Sequence, residues 1–244
     1  IDIPENILKK SDIAPPIVHL SRALALDQIG LSVRDVRRMT EDVRRVGTEN
    51  PQSLKVQTPK AISIKGLSIS YGSHQALKDI DSIVFEGEIV ALMGRNGAGK
   101  SSLLQSIVGV KAIDRGEISI FGQEPMSLKG AIRRATVGYI PQEPSDLLYA
   151  QSVAQECSQA DKDNGIASGT TIALLKELVP SISPATHPRD LSEGQRLALA
   201  LAVVLSAQPR ALILDEPTRG LDYQSKSLLI EILKNFAAQP GKSV

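Results

Sequence analysis

GRNGAGKSS, Gly94–Ser102, stands between the apolar run EIVALM (Glu88–Met93) and the periodic segment LLQSIVGV (Leu103–Val110). That order predicts a buried strand, a turn stripped of side chains, and a helix with Leu103, Leu104, Ile107 and Val108 on its apolar side, ending near Gly109. Glycines at 94, 97 and 99 let successive backbone N–H groups point into one concavity and allow close approach to the main chain. The helix that follows adds unpaired N–H groups and the positive end of its dipole. Gly94, Gly99, Lys100 and Ser101 satisfy G-x-x-x-x-G-K-[ST], a pattern met by chance on the order of once in a hundred chains of this size. Taken without context this is only a glycine-rich bend. In context, the amides of Gly94, Arg95, Asn96, Gly97, Ala98, Gly99, Lys100, Ser101 and Ser102 are expected to cradle a phosphate chain. The Lys100 ammonium would meet the β- and γ-phosphates, and the Ser101 hydroxyl would ligate Mg²⁺.

The rest of the chain divides by texture. Residues 1–60 carry two short helical patterns between proline-containing breaks, one with Ile17, Leu20 and Leu24 on a face and one with Val33, Val36, Val43 and Val46, opened by Ser32 and Asp35 as a capping box. This stretch is too thinly apolar to fold alone and reads as a partly helical inter-domain linker. From Ala61 the pattern is that of strands. AISIKGLSISY alternates Ile62 and Ile64, then Leu67, Ile69 and Tyr71, and SIVFEGEIVALM reads as two strands around Glu86 and Gly87. The region from 125 to 190 looks mainly helical, with TTIALLKELV its clearest segment. Gln195–Ala207 is apolar almost all round, as a buried helix is, and stops before Pro209. ALIL (Ala211–Leu214) is a short buried strand, and SLLIEILKNFAAQ a helix presenting Leu229, Ile232, Leu233 and Phe236. Strands alternating with helices indicate an α/β fold with a largely parallel sheet.

Two further strings carry chemistry. ALILDEPT ends a buried strand in Asp215 and Glu216, at the sheet edge where the glycine-rich turn also lies. Asp215 is placed to hold Mg²⁺ through water, and Glu216 to orient or deprotonate a water that attacks a phosphoryl group. Alone, both are ordinary strand-end acids. In DLSEGQRLALALAVV, Ser192 caps a helix and leaves N–H groups free for a second anion site; alone, this is a well-capped core helix.

Taken together and in this order, Gly94–Ser101, Leu191–Gln195 and Leu212–Glu216 resemble the ATP-binding subunits of ABC transporters, over roughly residues 61–244. The resemblance implies a P-loop NTPase core, a mainly parallel sheet flanked by helices, with an antiparallel β part and a helical signature subdomain. It implies ATP and Mg²⁺ as cofactors and a head-to-tail dimer with a second ATPase domain. In that dimer Ser192, Gly194 and Gln195 of the signature would face the γ-phosphate held by the other copy. Glu193 stands where the family's first signature glycine is found, and Gly220 stands in RGLD where alanine is common. Tyr71 resembles the aromatic that stacks on adenine. Gln142 in GYIPQEP resembles the glutamine that senses Mg²⁺ and links the site to the membrane partner. Glu216, Lys100 and Gln142 would be catalytic, and Ser101, Gln142 and Asp215 would hold the metal. The family also carries a histidine on a strand end beyond the glutamate. No histidine follows His187, and GKSV at the end of the chain reads as the opening of that strand. The domain is therefore expected to span 61–244 and stop short of the switch histidine, with weak hydrolysis by itself. The three histidines, His19, His74 and His187, read as surface or turn residues.

PSDLLYAQSVAQEC, LSEGQRLALA and DEPTRGLDYQSK narrow the likeness to the second ATPase half of tandem energy-coupling-factor importers, with 1–60 as the linker from a first half. That implies ATP-driven uptake of a micronutrient such as a vitamin or metal ion. The implied partners are an integral-membrane coupling subunit and a substrate-binding membrane subunit, which places the protein at the cytoplasmic face of the membrane. Composition agrees. No apolar run reaches the roughly 20 residues a membrane helix needs, IDIPENILKK has no apolar core of a secretory leader, and Cys157 stands alone, while an opening Ile rather than Met suggests a fragment. A net charge of +1 and 3% aromatics without Trp give no case for nucleic acid. Two alternatives stay open: a soluble ABC ATPase of DNA repair or translation, and a nucleotide-binding regulatory module without hydrolysis. Only 48 residues separate Gln142 from Leu191, without heptads or a cysteine cluster, which suits a compact transporter subdomain.

Overall fold

The computed structural model describes residues 58–244 and, before them, Val18. The linker reading of 1–60 and its Ser32 capping box thus lie almost wholly outside the described residues. Two compact units are distinguished, residues 57–221 with 229–244 and residues 1–56 with 222–228; the first holds nearly everything described here.

β1 (Lys60–Tyr71) pairs antiparallel with β2 (His74–Phe85) on one side and β3 (Arg115–Ile120) on the other. Ile62, Ile64, Leu67 and Ile69 are all buried. Their change of phase is absorbed between Ile64 and Leu67, where the register shifts and Gly66 adopts a positive φ of 56°. α1 (Lys100–Ile107) packs Leu103, Ile107 and the following Val108 against this sheet. The parallel layer consists of β4 (Val137–Ile140) and β5 (Ala211–Leu214), paired Val137 to Ala211 through Ile140 to Leu214. α2 (Gly130–Thr136) leads directly into β4. Neither β3 nor β4 is expected from the sequence reading. RGEISI is half polar, and VGYI lies within a stretch whose composition suggests helix.

A third layer is helical: α3 (Val153–Asn164), α4 (Thr170–Leu178) and α5 (Glu193–Leu205). α5 explains its own all-round apolarity. Leu197, Ala200 and Leu201 pack on β4, β5 and α6 (Tyr223–Ala237), while Ala198, Leu199 and Ala202 pack on α3 and α4. A helix shared by two cores has no face left for polar residues. Where β4 crosses α5, a Cβ on Gly138 would lie 2.4 Å from Val204 Cγ1, so only glycine permits the contact.

One expectation is corrected. EIVALM is neither a regular strand nor buried: Ile89, Val90 and Leu92 are about half exposed and Met93 is 88% exposed. The physical reason lies in its pairing. Gly87 donates to Lys242 O, Val90 to Val244 O, and Val244 to Glu88 O, while Leu212 donates to Ser243 O and Ser243 to Arg210 O. Residues 242–244 thus lie between the start of this run and β5, with Ser243 bridged in parallel to Ala211. Ala91–Met93 make no backbone hydrogen bond to any described residue. A parallel strand is buried only when neighbours flank it along its length. Residues 242–244 run beside β5, held by the Ser243 bridge to Ala211.

α4 begins at Gly169, which has no side chain to cap it. Asp161 of α3 supplies the cap instead, accepting from Gly169 N (2.7 Å), Thr171 N (2.9 Å) and Thr171 Oγ1 (2.6 Å). Burial of Asp161 raises its pKa. The opposing hydrogen bonds from Thr171, Gly169 and Thr170 outweigh burial and hold the carboxyl below its usual value. Its folded-state pKa being depressed, the stabilisation is present above the unfolded value and lost as pH falls through the folded one. Asp161→Ala is expected to lower stability at pH 7 by about 1–3 kcal/mol in urea titrations. The gap to wild type should narrow below about pH 4.

Candidate nucleotide site

The register of the parallel pair sets the site. Ile140 lies opposite Leu214, so Gln142 and Glu216, each two residues further on, leave the sheet at the same level. Both line one cavity of about 540 Å³. Asp215 N donates to Ile140 O at 2.9 Å, extending the ladder one residue, and Asp215 is only 4% exposed. Its charge bears on Tyr139 of β4, whose phenol is pushed up first by burial and then by Asp215, against a hydrogen bond from Gln105. Glu216 turns out of the strand with φ 49°, in the left-handed region that costs a non-glycine residue about 1–3 kcal/mol.

The glycine-rich turn forms the opposite wall. Gly97 and Gly99 have φ of 80° and 87°. At Gly99 a Cβ would lie 2.6 Å from Leu77 Cδ2 and 2.7 Å from Ala76 O, so the turn rests on β2 at a distance no side chain allows. α1 starts at once, with no side-chain cap. Leu103 N is the first amide bonded within the helix, to Gly99 O. The N–H groups of Lys100, Ser101 and Ser102 therefore remain without acceptors among the described residues. Lys100 Nζ donates to the carbonyls of Gly94 (3.0 Å) and Arg95 (3.2 Å), which ties the cation to the rim of its own turn. Tyr71 closes the third side. It is 47% exposed, its hydroxyl lies 3.0 Å from Ser102 Oγ, and Lys111 Nζ sits 3.8 Å from the centre of its ring.

Of the residues expected at the site, Tyr71, Asn96, Gly97, Gly99, Lys100, Ser101, Ser102, Gln142 and Glu216 line this cavity. Gly94, Arg95 and Ala98 shape the turn behind it, where Ala98 N donates to Arg95 O at 3.1 Å. Ser192, Gly194 and Gln195 are not among its lining. They open α5 with a capping box, Ser192 Oγ accepting from Gln195 N and Gln195 Oε1 from Ser192 N. His74, Ala76 and Arg219 line the cavity without having been singled out as site residues. Nothing distinguishes a histidine in an exposed hairpin. Arg219 had a signal, since it sits inside the acidic strand's own turn, where it pairs with Glu143 at 3.1 Å.

Ser101, Gln142 and Glu216, each with an oxygen-bearing side chain, line the cavity, with Asp215 buried one residue before Glu216, just past the end of β5. That donor set suits a hard cation such as Mg²⁺, which is ordinarily shared between one or two carboxylates and substrate phosphates. Cys157 takes no part; its thiol is buried, and burial pushes it up to about 12, reinforced by Asp161 and Glu156.

Comparison with known proteins agrees with this geometry. The family described as ABC transporter matches residues 77–219. A putative ABC transporter ATP-binding protein from Streptomyces avermitilis is 42% identical over 96% of this chain and 47% of its own length. One from Clostridium tetani is 33% identical over 100% of this chain and 55% of its own. The chain thus spans about half the length of the curated relatives it matches. Among solved structures, an ATP-binding subunit of an ABC transporter superposes with a TM-score of 0.64 at 29% identity, covering 73% of this chain and 75% of its own. The protein cbiO1 from Clostridium perfringens, described as part of the ABC transporter complex cbiONQ, gives 0.63 at 27% identity, covering 76% of each chain. A fold with a glycine turn seated on β2, strand-end acids level with it and a capped signature helix, matched across its length by such relatives, belongs to the ABC transporter ATP-binding family.

Proposed function

We propose that this chain is the ATP-binding and ATP-hydrolysing part of an ABC-type importer of the energy-coupling-factor kind, powering uptake of a micronutrient such as a vitamin or metal ion. The observation that carries hydrolysis is the single cavity shared by the turn residues Lys100 and Ser101 and the strand-end residues Gln142 and Glu216. A module that only bound nucleotide would need the first pair and not the carboxylate. The importer assignment draws on the likeness to cbiO1 and on the strings around Gln142, Ser192 and Asp215. Residues 61–244 would be the ATPase domain and 1–60 the linker from a first ATPase half. The second ATPase domain, an integral-membrane coupling subunit and a substrate-binding membrane subunit would be its partners. No described helix is long and apolar enough to cross a membrane, so contact with the bilayer would run through those subunits.

The chemistry follows from the walls of the cavity. Tyr71 offers a flat face for adenine, and the free amides of Lys100, Ser101 and Ser102 receive phosphate oxygens. Lys100 trades its two carbonyl partners for the β- and γ-phosphates, a charge-assisted exchange that favours the anion. Mg²⁺ held by Ser101, Gln142 and Asp215 would neutralise charge on the phosphate oxygens. Glu216 accepts the proton of the water that attacks the γ-phosphorus in line, and the bond to the ADP oxygen breaks. Ser192, Gly194 and Gln195 would complete the site on a second domain's nucleotide.

Glu216→Gln is expected to leave ATP affinity unchanged and slow hydrolysis by roughly 10²–10⁴-fold in a phosphate-release assay. Wild-type turnover in that variant would remove the base assignment. Lys100→Ala should weaken ATP binding by roughly tenfold or more in equilibrium titrations. Equal affinity would contradict the phosphate-turn assignment.

A further inference from the structure

Glu193 and Gly220, the two positions at which the motifs of this chain depart from the family pattern, are neighbours in the fold. A Cβ on Gly220 would lie 3.3 Å from Glu193 Cγ and 3.7 Å from Glu193 Cβ, and Gly220 has a φ of 71°. The stem of Glu193 therefore lies over the bare α-carbon of Gly220. Its carboxylate is anchored on its own helix, accepting from Arg196 Nη1 at 2.8 Å, while Arg196 Nη2 donates to Leu191 O at 2.9 Å. The Arg196 side chain is only 17% exposed and that of Glu193 50%, so the anchor is fixed at its arginine end, at the capped start of α5.

Gly220 belongs to the turn that begins at Glu216. In it Arg219 N donates to Glu216 O at 3.1 Å and Leu221 N to Thr218 O at 3.4 Å. The left-handed backbone of Glu216 persists only where its surroundings over-determine it. One side-chain tie, Arg219 to Glu143, is well exposed at both ends and so contributes little. Leu221 anchors the far end of the turn in the core, and nearer Glu216 stands Glu193, which lines with Gln142, Glu216 and Gly220 a second cavity of about 250 Å³ beside the first.

We propose that Glu193 is a positioning residue for hydrolysis: clamped by Arg196 and packed on Gly220, it holds the 216–221 turn so that the Glu216 carboxylate faces the phosphate cavity. The role is steric, and it requires glycine at 220. It rests on the reading of Glu216 as the base.

The test is steady-state ATP hydrolysis by the full-length protein with its partner subunits, with ATP affinity and melting temperature read in parallel. Glu193→Gly should lower kcat by roughly fivefold or more, with KM and ATP affinity within about twofold of wild type. Glu193→Gln keeps the stem and should retain more than half of the activity. Gly220→Ala should lower kcat by at least a similar factor, because its methyl meets the glutamate at 3.3 Å in addition to the strain of a side chain at φ 71°. In the Glu193→Gly background the same substitution should cost clearly less, so the loss in the double variant falls short of the product of the single losses. Should Glu193→Gly fail to fold, Glu193→Ala takes its place in the cycle.

Unchanged kcat in Glu193→Gly overturns the proposal. So does an equal cost of Gly220→Ala in both backgrounds, which would mean that Glu193 acts elsewhere, for instance across the dimer. Glu216→Gln in the same series separates the two ideas. If it is inactive while the Glu193 variants are neutral, only the positioning role falls; if it turns over normally, the base reading falls first.

Discussion

Four residue pairs hold the chemistry together. The parallel ladder from Val137 and Ala211 to Ile140 and Leu214 decides which residues emerge side by side at its end. A slip of one residue would turn every side chain of a strand to its other face, and would part Gln142 from Glu216. Burial enforces the register: Ile140 and Leu212 are wholly buried against the all-apolar α5. The ladder needs no polar chemistry of its own. It is a packing solution, and the shared level of Gln142 and Glu216 is its by-product.

Against that fixed edge the phosphate turn is set by sterics of a different kind. Gly99 rests on Ala76 and Leu77 of β2, so the position of the turn is dictated by the antiparallel sheet and not by β4 or β5. The cavity is thus the meeting of two independently braced parts. One brings amides and a lysine, the other the side-chain amide of Gln142 and the acid Glu216. The helical layer adds a third braced part, whose start is tied by Arg196 and Glu193 and whose α4 is capped from α3 by Asp161. The starts of α3, α4, α5 and α6 each have a side-chain acceptor, whereas those of α1 and α2 have none among the described residues; of these two, only α1 begins at the cavity. Free N–H groups at a cavity wall are what an anion site requires.

Much of this was legible in the residues. G-x-x-x-x-G-K-[ST] carries its mechanism with it, because glycine is needed for positive φ and close approach, and lysine for charge. The N-cap at Ser192 and the places of α4, α5, β5 and α6 follow from local rules of capping and periodicity, although α6 begins at Tyr223, a turn before the periodic pattern that starts at Ser227. β3 and β4 were not legible, since RGEISI and VGYI become strands only through their partners β1 and β5. EIVALM reads as a buried strand by composition, yet its side chains are exposed here because pairing reaches only its first residues. Arg219 and His74 enter the cavity through turns whose direction no local pattern specifies.

The sequence by itself determined the kind of ligand to expect and the inventory of groups suited to meet it, because bare amides, a lysine and strand-end carboxylates have fixed chemistry wherever they occur. Tertiary structure alone decided which of those groups share a cavity, that the signature residues Ser192, Gly194 and Gln195 stand outside it, and that Glu193 lies on Gly220. Local rules act over a few residues. The contacts between Glu193 and Gly220, or between Gly99 and Leu77, join elements far apart in the chain, and only the packing of buried faces brings them within reach.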